Sequence, residues 1–254
     1  MLLSLYVFIL GLCVGSFMNV CIYRIAEGRS IVRPASACPA CETPIRFYDN
    51  IPVLSYLWLR GKCRACGAGI SIRYPLVELL GGLTALAAYL KFGLSPATGI
   101  YFVFCAALEV IAFIDIDRRI IPDRITLPGI PLFFGASLFL PGTGAIASAL
   151  GILIGGGSLL LIAWLYAAVT GKEGMGGGDI KLLAMIGALV GWKGVLFTIF
   201  VSSAVGTVVG IVLMIRAGKG MKMSLPFGPF LSIGAIAYVF FGPASIALYL
   251  HQFG

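Results

Sequence analysis

Histidine is nearly missing from this chain: His251, at the far C-terminal end, is the one copy in 254 residues. That removes H-E-x-x-H zinc hydrolysis and argues against Ser-His and Cys-His dyads. Charge is scarce as well. Asp, Glu, Lys and Arg make up 11% of the residues against 60% hydrophobic, and the mean hydropathy of +1.05 lies outside the soluble range. The apolar runs are continuous and do not alternate with polar residues, which excludes a β-barrel. No G-x-x-x-x-G-K phosphate loop is present, and Asp179 or Lys181 falls where the last glycine of G-x-G-x-x-G belongs. The first residues lack a basic n-region and a small-residue cleavage site, so Met1–Tyr23 reads as a retained helix. Leu12 before Cys13 argues against a lipoprotein-type cleavage site.

What remains is a series of apolar segments near or above bilayer length. They predict helices at 1–23, 75–91, 98–116, 125–140, 144–169, 179–192, 194–215 and 226–250. The sixth is short for a full span, and the fourth carries Pro128 and Pro131, so either is open to tilting or breakage. If the N-terminus is outside, the cytoplasmic loops hold all of the 18 basic residues except Lys91 and Lys193, as the positive-inside rule requires. The net charge of +8 therefore reports topology. The basic residues are spread over loops, so no nucleic-acid partner is expected, and the partner surface is the lipid bilayer. The fold class expected is an all-α polytopic membrane protein of about eight transmembrane helices, with a small cytoplasmic domain between helices 1 and 2. The domains follow as 1–23, a first transmembrane helix; 24–74, a cytoplasmic cysteine domain; and 75–254, a helical bundle.

Within the long hydrophilic loop sit Cys38-Pro39-Ala40-Cys41 and Cys63-Arg64-Ala65-Cys66, two C-x₂-C knuckles separated by 21 residues. Two knuckles of two thiolates complete a tetrahedron, and a reducing cytoplasm disfavours disulfides, so a structural zinc on Cys38, Cys41, Cys63 and Cys66 is expected. A redox role for the C-x₂-C pairs is the competing reading. Four protein ligands leave no open position for catalysis. Cys13, Cys21 and Cys105 lie in helices and read as packing residues.

Acids are the rarest chemistry in the apolar part. Asp115 closes the third helix, and Asp179 follows Gly174-Met175-Gly176-Gly177-Gly178 at the start of the sixth. The predicted topology brings both to the cytoplasmic face although 64 residues separate them. Two adjacent carboxylates share a proton; one serves as base for water and the other as acid toward a carbonyl. Gly176 and Gly178 would keep side chains away from the substrate, with Lys181 in the same supporting loop. A helix N-cap is the bland alternative for Asp179, and a cap is the expectation for Asp123. Asp117 reads as solvated, and Glu78 and Glu109 admit either a structural or an accessory role. Leu225-Pro226-Phe227-Gly228-Pro229-Phe230 interrupts the last helix, either as a simple start or as a free backbone edge for an extended substrate.

Taken in order, these residues resemble the type IV prepilin peptidase family, the bifunctional leader peptidase/N-methyltransferases of G-x-G-D aspartyl type. The resemblance is carried by Gly15-Ser16-Phe17-Met18-Asn19-Val20 through Tyr23-Arg24, by the cysteine tetrad, and by Ile51-Pro52-Val53-Leu54-Ser55-Tyr56. It continues through Arg60-Gly61-Lys62-Cys63, Arg73-Tyr74-Pro75-Leu76-Val77-Glu78, Ile121-Pro122-Asp123 and Gly176-Gly177-Gly178-Asp179. It implies an inner-membrane enzyme, N-terminus periplasmic, that cuts the leader from prepilins or pseudopilins with Asp115 and Asp179 as the catalytic pair. It also implies N-methylation of the new N-terminus with S-adenosylmethionine, for which the intact tetrad speaks; no residue pattern shows a cofactor loop. An ion-coupled transporter with an acidic relay is the alternative from another functional class.

Overall fold

The computed structural model describes residues 1–171, 176–217 and 225–253, without the side chains of 217, 243–244 and 246–253. Its elements are helices: α1 (Leu2–Ala26), α2 (Leu54–Trp58), α3 (Arg73–Phe92), α4 (Pro96–Arg118), α5 (Asp123–Ser137), α6 (Ala145–Thr170), α7 (Gly177–Ala217) and α8 (Gly228–Phe253). Among the described residues five of them, α1, α3, α4, α6 and α7, are long and apolar enough to cross a membrane. Large apolar side chains such as Trp164, Leu161 and Phe200 stay exposed along these helices, as surfaces solvated by lipid do. The chain forms two compact units, Met1–Ala106 and Ala107–Gly254, with the boundary inside α4.

In the amino-terminal unit α1 packs on α3 through glycines spaced four apart. A Cβ on Gly11 would lie 2.6 Å from Ala85 Cβ, and one on Gly15 would lie 2.6 Å from Glu78 Cα. This is the small-xxx-small contact by which apolar helices approach when no hydrophobic force drives them together. Buried Asn19 then donates from Nδ2 to Tyr74 O at 3.0 Å, so its amide stitches the same crossing.

The carboxy-terminal unit repeats the device. A Cβ on Gly151 of α6 would overlap Gly187 O of α7, and one on Gly155 would lie 2.6 Å from Leu183 O. Ser137 of α5 donates to Ser148 Oγ of α6 at 3.1 Å, and Ser148 donates to Ala188 O of α7, so a buried polar chain ties three helices.

Three features of the helices bear on the sequence expectation. The sixth and seventh predicted helices are joined without a loop at Gly191, whose φ of 70° breaks α7 into two segments. The first is roughly 20 Å long at 1.5 Å per residue, short of a 30 Å hydrocarbon core. Next, α5 runs through Pro128 and Pro131 unbroken. Finally, α5 starts at Asp123 behind Pro122, so Asp123 stands in the first turn and makes no side-chain cap; its carboxylate is engaged elsewhere.

Candidate active site and cysteine cluster

Asp115 lies one turn before the end of α4 and is 5% exposed. Its Oδ2 accepts the backbone N–H of Gly228, the first residue of α8, at 3.0 Å. The helix closes just after it: Arg119 donates its N–H to Asp115 O at 2.8 Å and takes a left-handed φ of 56°, a conformation usually left to glycine. Asp117, two residues on, is exposed, as an opposite-facing neighbour should be.

Asp179 is the third residue of α7, inside its first turn and not at the N-cap. Its N–H donates to Gly176 O at 3.3 Å. Its Oδ1 is buried and has no hydrogen-bond partner among the described residues, a costly arrangement that a fold keeps only for a reason. Asp115 is close enough to act on Asp179 electrostatically. The fold therefore brings together two carboxylates from different helices, one tied to a backbone donor and one with a buried unsatisfied oxygen.

Around them, Lys181 Nζ bonds both oxygens of Asp123 at 2.8 Å, joining the second turn of α7 to the first turn of α5. Cβ atoms on Gly176 and Gly177 would meet nothing within 4 Å. Gly178 differs from the expectation of a space kept for substrate, because Ile121 occupies that space. Gly174, Met175, Lys172, Lys219 and Lys222 lie outside the described residues, as does the side chain of His251. The Leu225–Phe230 segment is a helix start at Gly228, and the Gly228 N–H is already consumed by Asp115. Of the two readings of that segment, a simple helix start and a free edge for substrate, the structure shows the helix start; its use as a tether for Asp115 was not legible in the sequence. Glu109 is buried in α4.

In the amino-terminal unit the sulfurs of Cys38, Cys41, Cys63 and Cys66 lie within 4.8 Å of one another. Cys38 and Cys66 are 3.9 Å apart and Cys41 and Cys63 are 4.0 Å apart, pairs that run between the knuckles. A tetrahedron with metal–sulfur bonds of about 2.3 Å has edges of about 3.8 Å, whereas a disulfide needs about 2.05 Å. The cluster can hold a metal ion, and the cysteines are free thiols.

The two knuckles are built alike. Cys38 N–H donates to Thr43 O and Glu42 N–H to Cys38 O; Cys63 N–H donates to Ala68 O and Gly67 N–H to Cys63 O. The residue after the second cysteine is left-handed in both, with φ of 55° at Glu42 and 72° at Gly67. Hydrogen bonds from Thr43 hold the Cys41 thiol down at about 6, and backbone donors at Cys66 and Ala65 lower Cys63. Cys66, despite a backbone hydrogen bond at Ala68, is pushed up to about 11 by the neighbouring sulfurs, so the four sulfurs by themselves hold a mixture of thiolate and thiol. Arg64 grips Asp49 with contacts of 2.6 to 3.0 Å and keeps its carboxyl below the usual range. Glu78 of α3 accepts the N–H of Val53 at 2.7 Å; Val53 has a φ of 62°, so this carboxylate pins a strained turn of the loop. A cavity of about 270 Å³ opens beside Arg24, lined by Ser16, Phe17, Val20, Ser36 and Asn50 among others.

Comparison with known proteins divides the chain in two. Residues 9–92 match the Bacterial Peptidase A24 N-terminal domain and residues 102–211 match the Type IV leader peptidase family. The chain is 38% identical to a prepilin leader peptidase/N-methyltransferase of Aeromonas hydrophila, over 97% of this chain and 93% of that protein. A protein of the same name from Pseudomonas putida is 38% identical over 92% of this chain and 89% of its own length. One from Myxococcus xanthus is 42% identical over 86% of this chain and 65% of its own. No solved structure matches.

Proposed function

The chain belongs to the type IV leader peptidase family, and from that premise we propose that Asp115 and Asp179 are the catalytic pair that removes the leader from prepilins. The activity is prepilin leader cleavage coupled to N-methylation of the new N-terminus, carried by a multi-pass inner-membrane protein. The observation that supports the site assignment is that Ile121 packs against both the residue before Asp179, whose Oδ1 is buried and unsatisfied, and the residue that tethers buried Asp115.

One carboxylate takes a proton from water as its oxygen bonds the scissile carbonyl carbon, and the other donates a proton to the carbonyl oxygen. Collapse of the resulting diol breaks the carbon–nitrogen bond, and the departing amine leaves with a proton returned from the pair. Asp115→Asn and Asp179→Asn should each leave prepilin uncut in a detergent assay while the protein stays folded. Normal cleavage by either variant would overturn the assignment.

We assign zinc to Cys38, Cys41, Cys63 and Cys66, on the convergence and spacing of the four sulfurs. Bound there, it supplies a cross-link and no chemistry, because four protein ligands close its coordination. S-adenosylmethionine supplies the methyl group when bound. The loop 24–73 and adjoining helix ends are where we place its transfer, since the cavity beside Arg24 offers a cation for a carboxylate and apolar walls for a base. The N-terminus is assigned to the periplasm on the charge asymmetry of the loops, with Lys91 and Lys193 facing the same side. Mass spectrometry of a co-expressed prepilin reads leader removal and added methyl together.

A further inference from the structure

Ile121 sits in the short link between α4 and α5, and glycines from two other segments close on it. A Cβ on Gly178, the residue before Asp179, would come within 2.8 Å of Ile121 Cβ. A Cβ on Gly228 would lie 3.2 Å from Ile121 Cδ1 and 2.7 Å from Asp115 Oδ2, the oxygen that the Gly228 N–H already holds. Neither glycine has a positive φ, so conformational freedom does not explain them; space does. One isoleucine thus abuts the residue preceding one aspartate and the residue that tethers the other.

We propose that Ile121, Gly178 and Gly228 are positioning residues, a wedge that sets how the carboxylates of Asp115 and Asp179 face each other. Gly228 commits Oδ2 of Asp115 and leaves Oδ1 as the oxygen that meets water. Ile121 sets how near the start of α7 comes to the end of α4. Gly178 and Gly228 lack side chains because a methyl at either would push the isoleucine or the carboxylate aside. This rests on the reading of Asp115 and Asp179 as the catalytic pair.

The test uses the full-length protein in detergent with an intact prepilin, measuring kcat, KM, the pH profile of kcat and the melting temperature. Gly228→Ala should lower kcat about 100-fold, the size of effect a displacement of about 1 Å produces, with KM within about threefold and the pH profile of kcat displaced. Gly157→Ala, whose Cβ would meet nothing within 4 Å, is the control and should match wild type in all four readouts. Ile121→Val removes only Cδ1 and should lower kcat by about three- to tenfold without changing the melting temperature. Gly178→Ala and Ile121→Gly should be non-additive, the double variant exceeding the product of the single effects about tenfold, because removing the Ile121 Cβ relieves the overlap.

Wild-type kcat in Gly228→Ala overturns the wedge, and so does a loss that follows melting with an unmoved pH profile. If Gly228→Ala does not fold, Ile121→Val and the cycle decide: full activity in the first, or additivity in the second, overturns it. Asp115→Asn and Asp179→Asn run beside them keep the two readings apart. Cleavage by either of these removes the catalytic assignment, whereas inert Asn variants with an active Gly228→Ala remove the wedge alone.

Discussion

In the amino-terminal unit the loop is ordered by polar side chains that meet one another or the backbone: four sulfurs converge within 4.8 Å, Arg64 grips Asp49, and Glu78 holds the N–H of Val53. In the carboxy-terminal unit Asp179 keeps an oxygen buried and unsatisfied, and the Asp115 beside it is tied through one oxygen only. Both units solve the helix-packing problem in the same way, with glycines at Gly11 and Gly15 and at Gly151 and Gly155. The difference therefore lies in what the polar side chains are for. In the first unit they replace a core too small to order a loop; in the second they are held ready against the usual preference for satisfaction.

The largest expected effect tests the second unit. Asp115→Asn or Asp179→Asn should reduce leader cleavage by about a thousandfold or more, since amides neither take nor share the proton. Methyl transfer onto a pilin supplied already cleaved should survive in both variants, and its loss would break the division of labour between the units. Conversely, Cys63→Ser should drop bound zinc from about one per chain by elemental analysis to a small fraction, since three thiolates no longer close the tetrahedron. Methyl transfer should fall at least about tenfold while cleavage stays within a few-fold. Equal collapse of both activities would show that the loop serves the aspartates as well.

Much of this was readable beforehand, for physical reasons that differ by residue. Apolar runs of bilayer length announced the helices, because nothing else satisfies a backbone in lipid. The C-x₂-C spacing announced the sulfur cluster, because ligand geometry is local to each knuckle. Asp115 and Asp179 stood out because carboxylates are rare near such runs. The Gly228 tether, the Ile121 packing and the use of Asp123 by Lys181 were not readable, since each depends on which helices meet and leaves no periodic trace. Glu42 hid differently. Its left-handed backbone is visible only once the two knuckles are superposed on one hydrogen-bond pattern, with Gly67 as its counterpart.

Smaller effects sharpen the comparison. Lys181→Met should lower cleavage a few-fold and cost about 1 kcal/mol or less of stability, because its pair with Asp123 is partly exposed. Glu42→Gly should stabilise the loop by about 1 kcal/mol, read as slower zinc loss to a chelator, by removing a left-handed non-glycine residue. The pair of Asp49 and Arg64 gives the smallest signal. Since the folded carboxyl titrates below its unfolded value, the stability it adds is present above about pH 4 and fades as pH falls through the folded value. The melting difference between wild type and Asp49→Asn should therefore be seen at pH 6 and vanish in stronger acid.

The contact of Gly151 with Gly187 also makes α7 a lever. Backbone meets backbone there, so the crossing has no side chain to yield and acts as a fulcrum. Asp179 lies two turns away along the helix, about 12 Å at 1.5 Å per residue, so a tilt of about 5° swings its carboxylate by about 1 Å. Displacements of that size decide turnover. The clasp of Lys181 on Asp123 sits at the free end of this arm, where a weak bond has the greatest leverage over angle.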